Sequence, residues 1–175
     1  SRNVGSGDDG AIGVLDCTAG MLVARWKGKV DTEEFGDICV RLAKWYGVNS
    51  GADRNPWIGV EWNDVGTNAN EYLDKMGMAL VRTPTWDRVN KRIENKLGIV
   101  TSPTTKPQLI DKFLYPFISK AVSESGLPLL YVPDMEFWKQ CETYVTHESN
   151  IGHVRPDRPK MGATIGDHDD LIMMM

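Results

Sequence analysis

Carboxylates gather at two places in this sequence where their chemistry would be useful. Glu61 follows the apolar run Trp57-Ile58-Gly59-Val60 and precedes the polar turn Trp62-Asn63-Asp64-Val65-Gly66. Open α/β sheets collect their sites at the carboxyl ends of strands, so Glu61 is a site candidate. A surface Glu that merely ends a strand fits the same pattern. The second place is Gly166-Asp167-His168-Asp169-Asp170, just ahead of the apolar Leu171-Ile172-Met173. One Asp is enough to cap a helix and complement its dipole. Three within four residues repel one another unless a hard cation such as Mg²⁺ or Mn²⁺ neutralises them. His168 stands inside this cluster as a metal-ligand or general-base candidate, although a lone His on a turn is more often simply solvated. His147 and His153 have no ligand spacing.

Two basic strips accompany the carboxylates: Arg88, Lys91, Arg92 and Lys96, then Arg155, Arg158 and Lys160. Each reads as an ordinary solvated face or as a set of phosphate contacts. The sequence has no GxxxxGK[ST], so it carries no P-loop, and neither GxSxG nor HExxH occurs. Cys17, Cys39 and Cys141 are widely spaced and odd in number, which points away from a disulfide framework and towards a reducing cytosol.

The elements that must position these residues follow from local pattern. Ala11–Leu15 and Met21–Trp26 read as a β-hairpin around the turn 16–20. Asp31 is the expected N-cap of a helix whose apolar face is Phe35, Ile38, Cys39, Leu42, Trp45 and Tyr46. Trp57–Val60 reads as a buried strand ending at Glu61, able to lie parallel to the hairpin in a mixed sheet. A second helix is expected over about 67–76, closed by Gly77. Strands at 80–83 and 97–101 flank the basic segment 86–96. A third helix over about 106–123 should kink at Pro116. Then come an extended link at 127–132, a helix at 134–142 and a short strand at 144–146. A long polar loop from 147 to 166 precedes a last helix from Asp167. The Trp and Met residues at helical spacing are expected in the core. The layout is α/β with a mixed β-sheet flanked by helices.

The chain has 175 residues, 41% of them hydrophobic, with a net charge of −4. Such a length buries about two thirds of the unfolded surface in one domain. Six Trp, five Tyr and four Phe exclude intrinsic disorder, and no apolar stretch approaches the ~20 residues of a membrane-spanning helix. Mild acidity argues against a generally basic nucleic-acid coat, leaving local patches or a metal site. The polar, Gly-rich Ser1 to Gly10 is not a signal peptide. Its direct entry into a strand, and a final LIMMM resembling one turn of a cut helix, lead us to expect further sequence upstream and downstream.

Five segments, in order along nearly the whole chain, resemble the C-terminal nuclease domain of the large terminase subunit of tailed bacteriophages, the DNA-packaging motor. GSGDDGAIGVLD is similar to the loop and second strand of that domain, and MLVARWKGKVDTEEFGDICVRLAKWYG to its third strand and first helix. IGVEWNDVG resembles the strand with the second catalytic carboxylate. LGIVTSPTTKPQLIDKF resembles the threonine-rich turn and following helix, and GDHDDLIMM the closing HDD-type motif.

The resemblance implies an RNase H-like fold, with residues 1–175 forming a single nuclease domain. It implies a Mg²⁺- or Mn²⁺-dependent endonuclease that cuts double-stranded concatemeric DNA during packaging, using two divalent cations about 4 Å apart. By the same resemblance Glu61 is the middle metal ligand and Asp170 or Asp169 the last. Asp167, His168 and Asn63 stand in second rank. Lys106 with Arg88, Lys91 and Arg92 would touch the DNA backbone, giving salt-dependent, sequence-tolerant binding.

The implied partners are double-stranded DNA, the viral portal and the small terminase subunit, with no membrane. The implied location is the cytoplasm of the infected bacterial host. The family's first catalytic Asp ends a first strand that precedes the Gly-rich loop, so it is expected upstream of Ser1, as is the ATPase domain. Asp8 and Asp9 follow the Gly-rich turn and are not assigned to that role. A catalytically silent DNA- or portal-docking domain on the same fold, or a resolvase-type nuclease, are the competing readings. Bound cations would reverse the local field of an acidic chain where DNA approaches.

Overall fold

The computed structural model describes residues 10–49, 56–62, 64–87, 89–102, 105–120, 126, 128–147, 160–163 and 174. These fall into two compact units, one within 29–101 and the other combining 10–28 with the described part of 102–174.

The 29–101 unit begins with helix α1, Thr32–Asn49. The Asp31 carboxylate accepts the Glu34 N–H at 2.9 Å, capping the helix as expected. The buried stripe of α1 is Gly36, Cys39, Val40, Ala43 and Gly47, displaced from the face of large apolar residues read from sequence. Trp45 lies 66% exposed. Helix α2, Asp64–Lys75, packs against α1. The Tyr72 ring of α2 occupies the space where a side chain on Gly36 would stand, and its hydroxyl donates to Asp37 at 2.6 Å. A close neighbour therefore selects small residues and leaves the large ones at the margins.

Helix α2 starts three residues earlier than expected and ends as expected. Gly77 has φ +71°, and the N–H groups of Gly77 and Met78 donate to Asp74 and Leu73 in a Schellman closure. Ala69 and Leu73 from α2 join Cys39, Val40 and Ala43 from α1 among the buried residues of this unit, together with Met78 and Leu80.

Strands β1 (Gly10–Asp16) and β2 (Met21–Gly28) form the expected antiparallel hairpin, in the second unit. The Asp16 carboxylate accepts the N–H groups of Thr18 and Ala19, and Gly20 has φ +62° at the turn. The link after residue 127 adds a parallel bridge, Met21 to Tyr131. Beneath it Leu22, Val132 and Phe137 form the buried centre of this unit.

The third helical stretch opens as α3, Thr105–Leu109, and continues through π-helical turns at Ile110–Leu114 and Pro116–Lys120. Pro116 has no N–H to continue the α ladder, and the neighbouring Tyr115 N–H bonds five residues back, to Ile110. Helix α4, Met135–Thr143, is capped by Asp134, which accepts from Glu136 and Phe137. Arg25 of β2 reaches Asp134 at 3.0 Å and Glu136 at 2.6 Å, fastening the hairpin to this helix end.

Two more antiparallel pairs complete the described residues: β3 (Arg82–Asp87) with β4 (Arg92–Leu97), and β5 (Tyr144–His147) with β6 (Lys160–Ala163). The molecule thus combines helices with small antiparallel sheets, three of two strands each among the described residues.

This differs from the single mixed sheet expected. The segment at 57–61 takes its parallel partners from Leu80 and Ile99 rather than from the β1–β2 hairpin. It is also not a buried strand: Trp57 is 74% exposed, Gly59 is exposed, and Ile58, Val60 and Glu61 are only partly covered. The basic segment 86–96 lies within the β3–β4 hairpin, and β6 occupies part of the expected 147–166 loop. Among the described residues no helix is long and apolar enough to cross a membrane. The expected last helix from Asp167 lies outside the described residues, apart from Met174, which packs against the Phe137 core.

Candidate functional site

Glu61 is positioned by backbone pairing on both sides of its segment. Ile58 N–H donates to Ala79 and Val81 N–H donates back to Ile58. Two residues on, Ile99 N–H donates to Val60 at 2.8 Å and Trp62 N–H to Ile99 at 2.7 Å, which brackets Glu61 in a parallel bridge. The half-buried Glu61 carboxylate then meets Thr101, whose hydroxyl donates to Oε1. Forty residues of sequence separate the two, and the bridge to Ile99 brings them together.

The backbone behind Glu61 is held by Asn70. This α2 side chain is 1% exposed, and its Nδ2 donates to Gly66 at 2.9 Å and to Val60 at 3.4 Å. Its Oδ1 is buried and, among the described residues, has no hydrogen-bond partner. Gly98, at φ +86°, faces both groups: a Cβ there would overlap the Val60 carbonyl and stand 2.5 Å from Asn70 Nδ2. Glycine at this position is required on conformational and on steric grounds. On the far side, Lys96 Nζ lies 3.7 Å from the centre of the Trp62 ring, a cation–π contact next to Glu61 in sequence.

The basic candidates divide. Lys91 and Arg92 sit at the β3–β4 turn, Lys91 with φ 50°. Arg92 is engaged locally, its Nη2 donating to Glu94 at 2.8 Å. The turn is built by Asp87, whose carboxylate accepts Nδ2 and N–H of Asn90 and the N–H of Val89. Those donors, the Asn90 side chain first, hold the Asp87 carboxyl below the usual carboxylate range.

Lys106 belongs to the other unit, in the first turn of α3. Its N–H donates to the Ser102 carbonyl, while Ser102 and Thr105 exchange side chain-to-backbone bonds in a capping box. Arg88, Asn63 and the cluster Asp167, His168, Asp169 and Asp170 lie outside the described residues.

Carboxylate and hydroxyl oxygens are the donor type that Mg²⁺ and Mn²⁺ accept, so Glu61 and Thr101 suit such an ion in kind. Among the described residues no group of three or more His, Cys, Asp or Glu could hold one. Thr101 and Asn70 are the residues that sequence reasoning did not single out here. Thr101 carried a signal within its threonine-rich stretch, whereas a polar residue on the buried stripe of α2 signals its role only once Val60 and Gly98 are seen beside it. Compared with known proteins, the chain matches no family model, no curated protein and no solved structure.

Proposed function

We propose that this chain is a metal-dependent DNA endonuclease domain of a viral terminase large subunit, on an RNase H-like fold, acting on double-stranded DNA during genome packaging. The observation that carries the reading is Glu61: a carboxylate at the end of a parallel-paired extended segment, oriented by Thr101 from the neighbouring segment. The order of the five resembling segments supports it.

In this reading Glu61, with Asp169 and Asp170, would hold two divalent cations, which when bound activate water and neutralise charge at the scissile phosphate. The residues of the chain have simpler tasks. Thr101 restrains the Glu61 rotamer by donating to Oε1, so the carboxylate does not swing between substates. Asn70 and Gly98 fix the backbone at Val60, which sets where Glu61 begins. Lys91, Arg92 and Lys106 would contact phosphates and make affinity fall with salt. The viral portal and small terminase subunit are the protein partners this reading implies.

The test is plasmid cleavage with Mg²⁺ or Mn²⁺ by this chain, by a version extended upstream through the expected first strand, and by Glu61→Ala in each. The extended protein should nick and linearise plasmid, and Glu61→Ala should abolish that. An extended protein that leaves plasmid intact with both metals would favour the silent docking domain. Cleavage confined to branched junctions would favour a resolvase.

A further inference from the structure

We propose that the outward face of the β3–β4 hairpin is a base-contacting platform, with Trp86 and Ile93 stacking on unstacked bases of gapped or bulged DNA. The proposal rests on the nucleic-acid reading above and adds to it a preference for a DNA state. Trp86 and Ile93 are directly paired across the two strands and lie 61% and 68% exposed. Val89, in the turn between the strands, is 89% exposed. Apolar side chains left in water forgo the stabilisation that burial would contribute, so such a group on one hairpin marks a contact surface.

The hairpin is braced from its other face. Thr83 Oγ1 donates to the Gly98 carbonyl and Thr85 Oγ1 to that of Glu94, and Lys96 packs on the Trp62 ring. The Trp86 face therefore contributes little to holding the fold and is presented on a fixed support, which lowers the entropy cost of using it.

Charge identifies the occupant. Positions 82–97 carry five basic residues, Arg82, Arg88, Lys91, Arg92 and Lys96, against Asp87 and Glu94. That is a net of +3 in a chain whose total is −4. A positive hairpin bearing an exposed indole complements a polyanion whose monomers each carry a π-face. In an intact duplex those faces are covered by neighbouring pairs, so Trp86 gains its contact only where stacking is broken. Arg82, on the Trp86 face, and Lys91, at the turn, would meet the flanking phosphates; Arg82 is 3.4 Å from Asp74 in an exposed pair that costs little to exchange.

The experiment is fluorescence anisotropy in EDTA, where no cleavage occurs. It uses a labelled 30-base-pair duplex and the same duplex with a central three-nucleotide gap, with this chain, Trp86→Ala, Trp86→Phe and Lys91→Glu. This chain should bind the gapped probe at least ~5-fold more tightly. Trp86→Ala should erase that preference with under ~2-fold change on the intact duplex, and Trp86→Phe should keep most of it. Lys91→Glu should weaken both probes equally and reduce the salt slope by about one.

Equal binding of both probes by this chain, or equal loss on both from Trp86→Ala, overturns the platform. So does a change in sedimentation coefficient with Trp86→Ala, which would assign the face to a second copy. Absence of any DNA binding overturns the platform together with the nucleic-acid reading. Loss of metal-dependent plasmid cleavage alone leaves the platform standing, because binding in EDTA does not involve Glu61.

Discussion

Two regions of one unit handle their polar groups in opposite ways. Around Glu61, buried groups constrain one another: Asn70 is 1% exposed, Gly98 has no room for a side chain, and Thr101 fixes the carboxylate. At the β3–β4 hairpin one face is exposed, and several polar contacts are local, as the ion pair of Arg92 with Glu94 and the hydrogen bond from Asn90 to Asp87. The first region obtains its geometry from long-range packing and should transmit any insult to the whole fold. The second is a local structure whose side chains are available for contact. Placing one carboxylate reproducibly requires the first kind; meeting a large partner surface suits the second.

The contrast breaks most visibly at Gly98. Gly98→Ala puts a Cβ against the Val60 carbonyl at a φ of +86°, where both the backbone conformation and the overlap are unfavourable. A loss of about 3 kcal/mol or more is expected in urea-induced unfolding. A loss under 1 kcal/mol would mean that the Glu61 region is as yielding as the hairpin. Next in size is Asn70→Ala, which removes the donor to Gly66 and Val60 and leaves a small cavity. It should cost about 2 kcal/mol and, on the proposed function, lower plasmid cleavage by the extended protein more than its residual folded fraction explains.

Local chemistry was legible in the sequence, and pairing at a distance was not. Asp31 caps a helix and Gly77 ends one, because a cap depends on residues within one turn. The segment at 57–61 was recognisable as extended, but its partners lie about 20 and 40 residues away and nothing in its own composition names them. Hydrophobicity selected Trp45 for the core, whereas Tyr72 on the facing helix demands Gly36 and its small neighbours. In β3–β4 the period-two signal was hidden because polar residues occupy both faces. Glu61 stood out by its place after an apolar run. Thr101 became its partner only through the bridge to Ile99.

A smaller effect on stability, with a larger one on function, is expected from Thr101→Val. The change keeps the shape and removes the hydroxyl donor to Glu61. The carboxylate is half-buried and can recover a hydrogen bond from water, so about 1 kcal/mol is expected in the same unfolding measurement. If Glu61 holds a metal, apparent Mn²⁺ affinity in the extended protein should fall roughly 10- to 100-fold, since orienting partners of ligands carry effects of that order. Titration of cleavage rate against Mn²⁺ separates this from a loss at saturating metal. A variant indistinguishable from the parent in both measurements would make the Glu61–Thr101 contact incidental.

The smallest effect belongs to the hairpin, at Asp87. Its folded-state carboxyl is held below the usual carboxylate range by Asn90 and Val89, so its contribution is present above pH ~3.8, the unfolded value, and is lost as pH falls below that. Asp87→Ala should therefore leave the global melting temperature nearly unchanged while speeding amide exchange at Val89 and Asn90, the two residues whose N–H groups the carboxylate accepts. In the parent, the amide resonances of those two residues should shift as pH is lowered below ~3.8, and in the variant they should not. Confinement of the change to these two amides is what separates a locally built turn from the Glu61 region. Should Asp87→Ala lower global stability as far as Asn70→Ala does, the hairpin is part of the same cooperative structure, and Trp86 would be held there by folding rather than presented for contact.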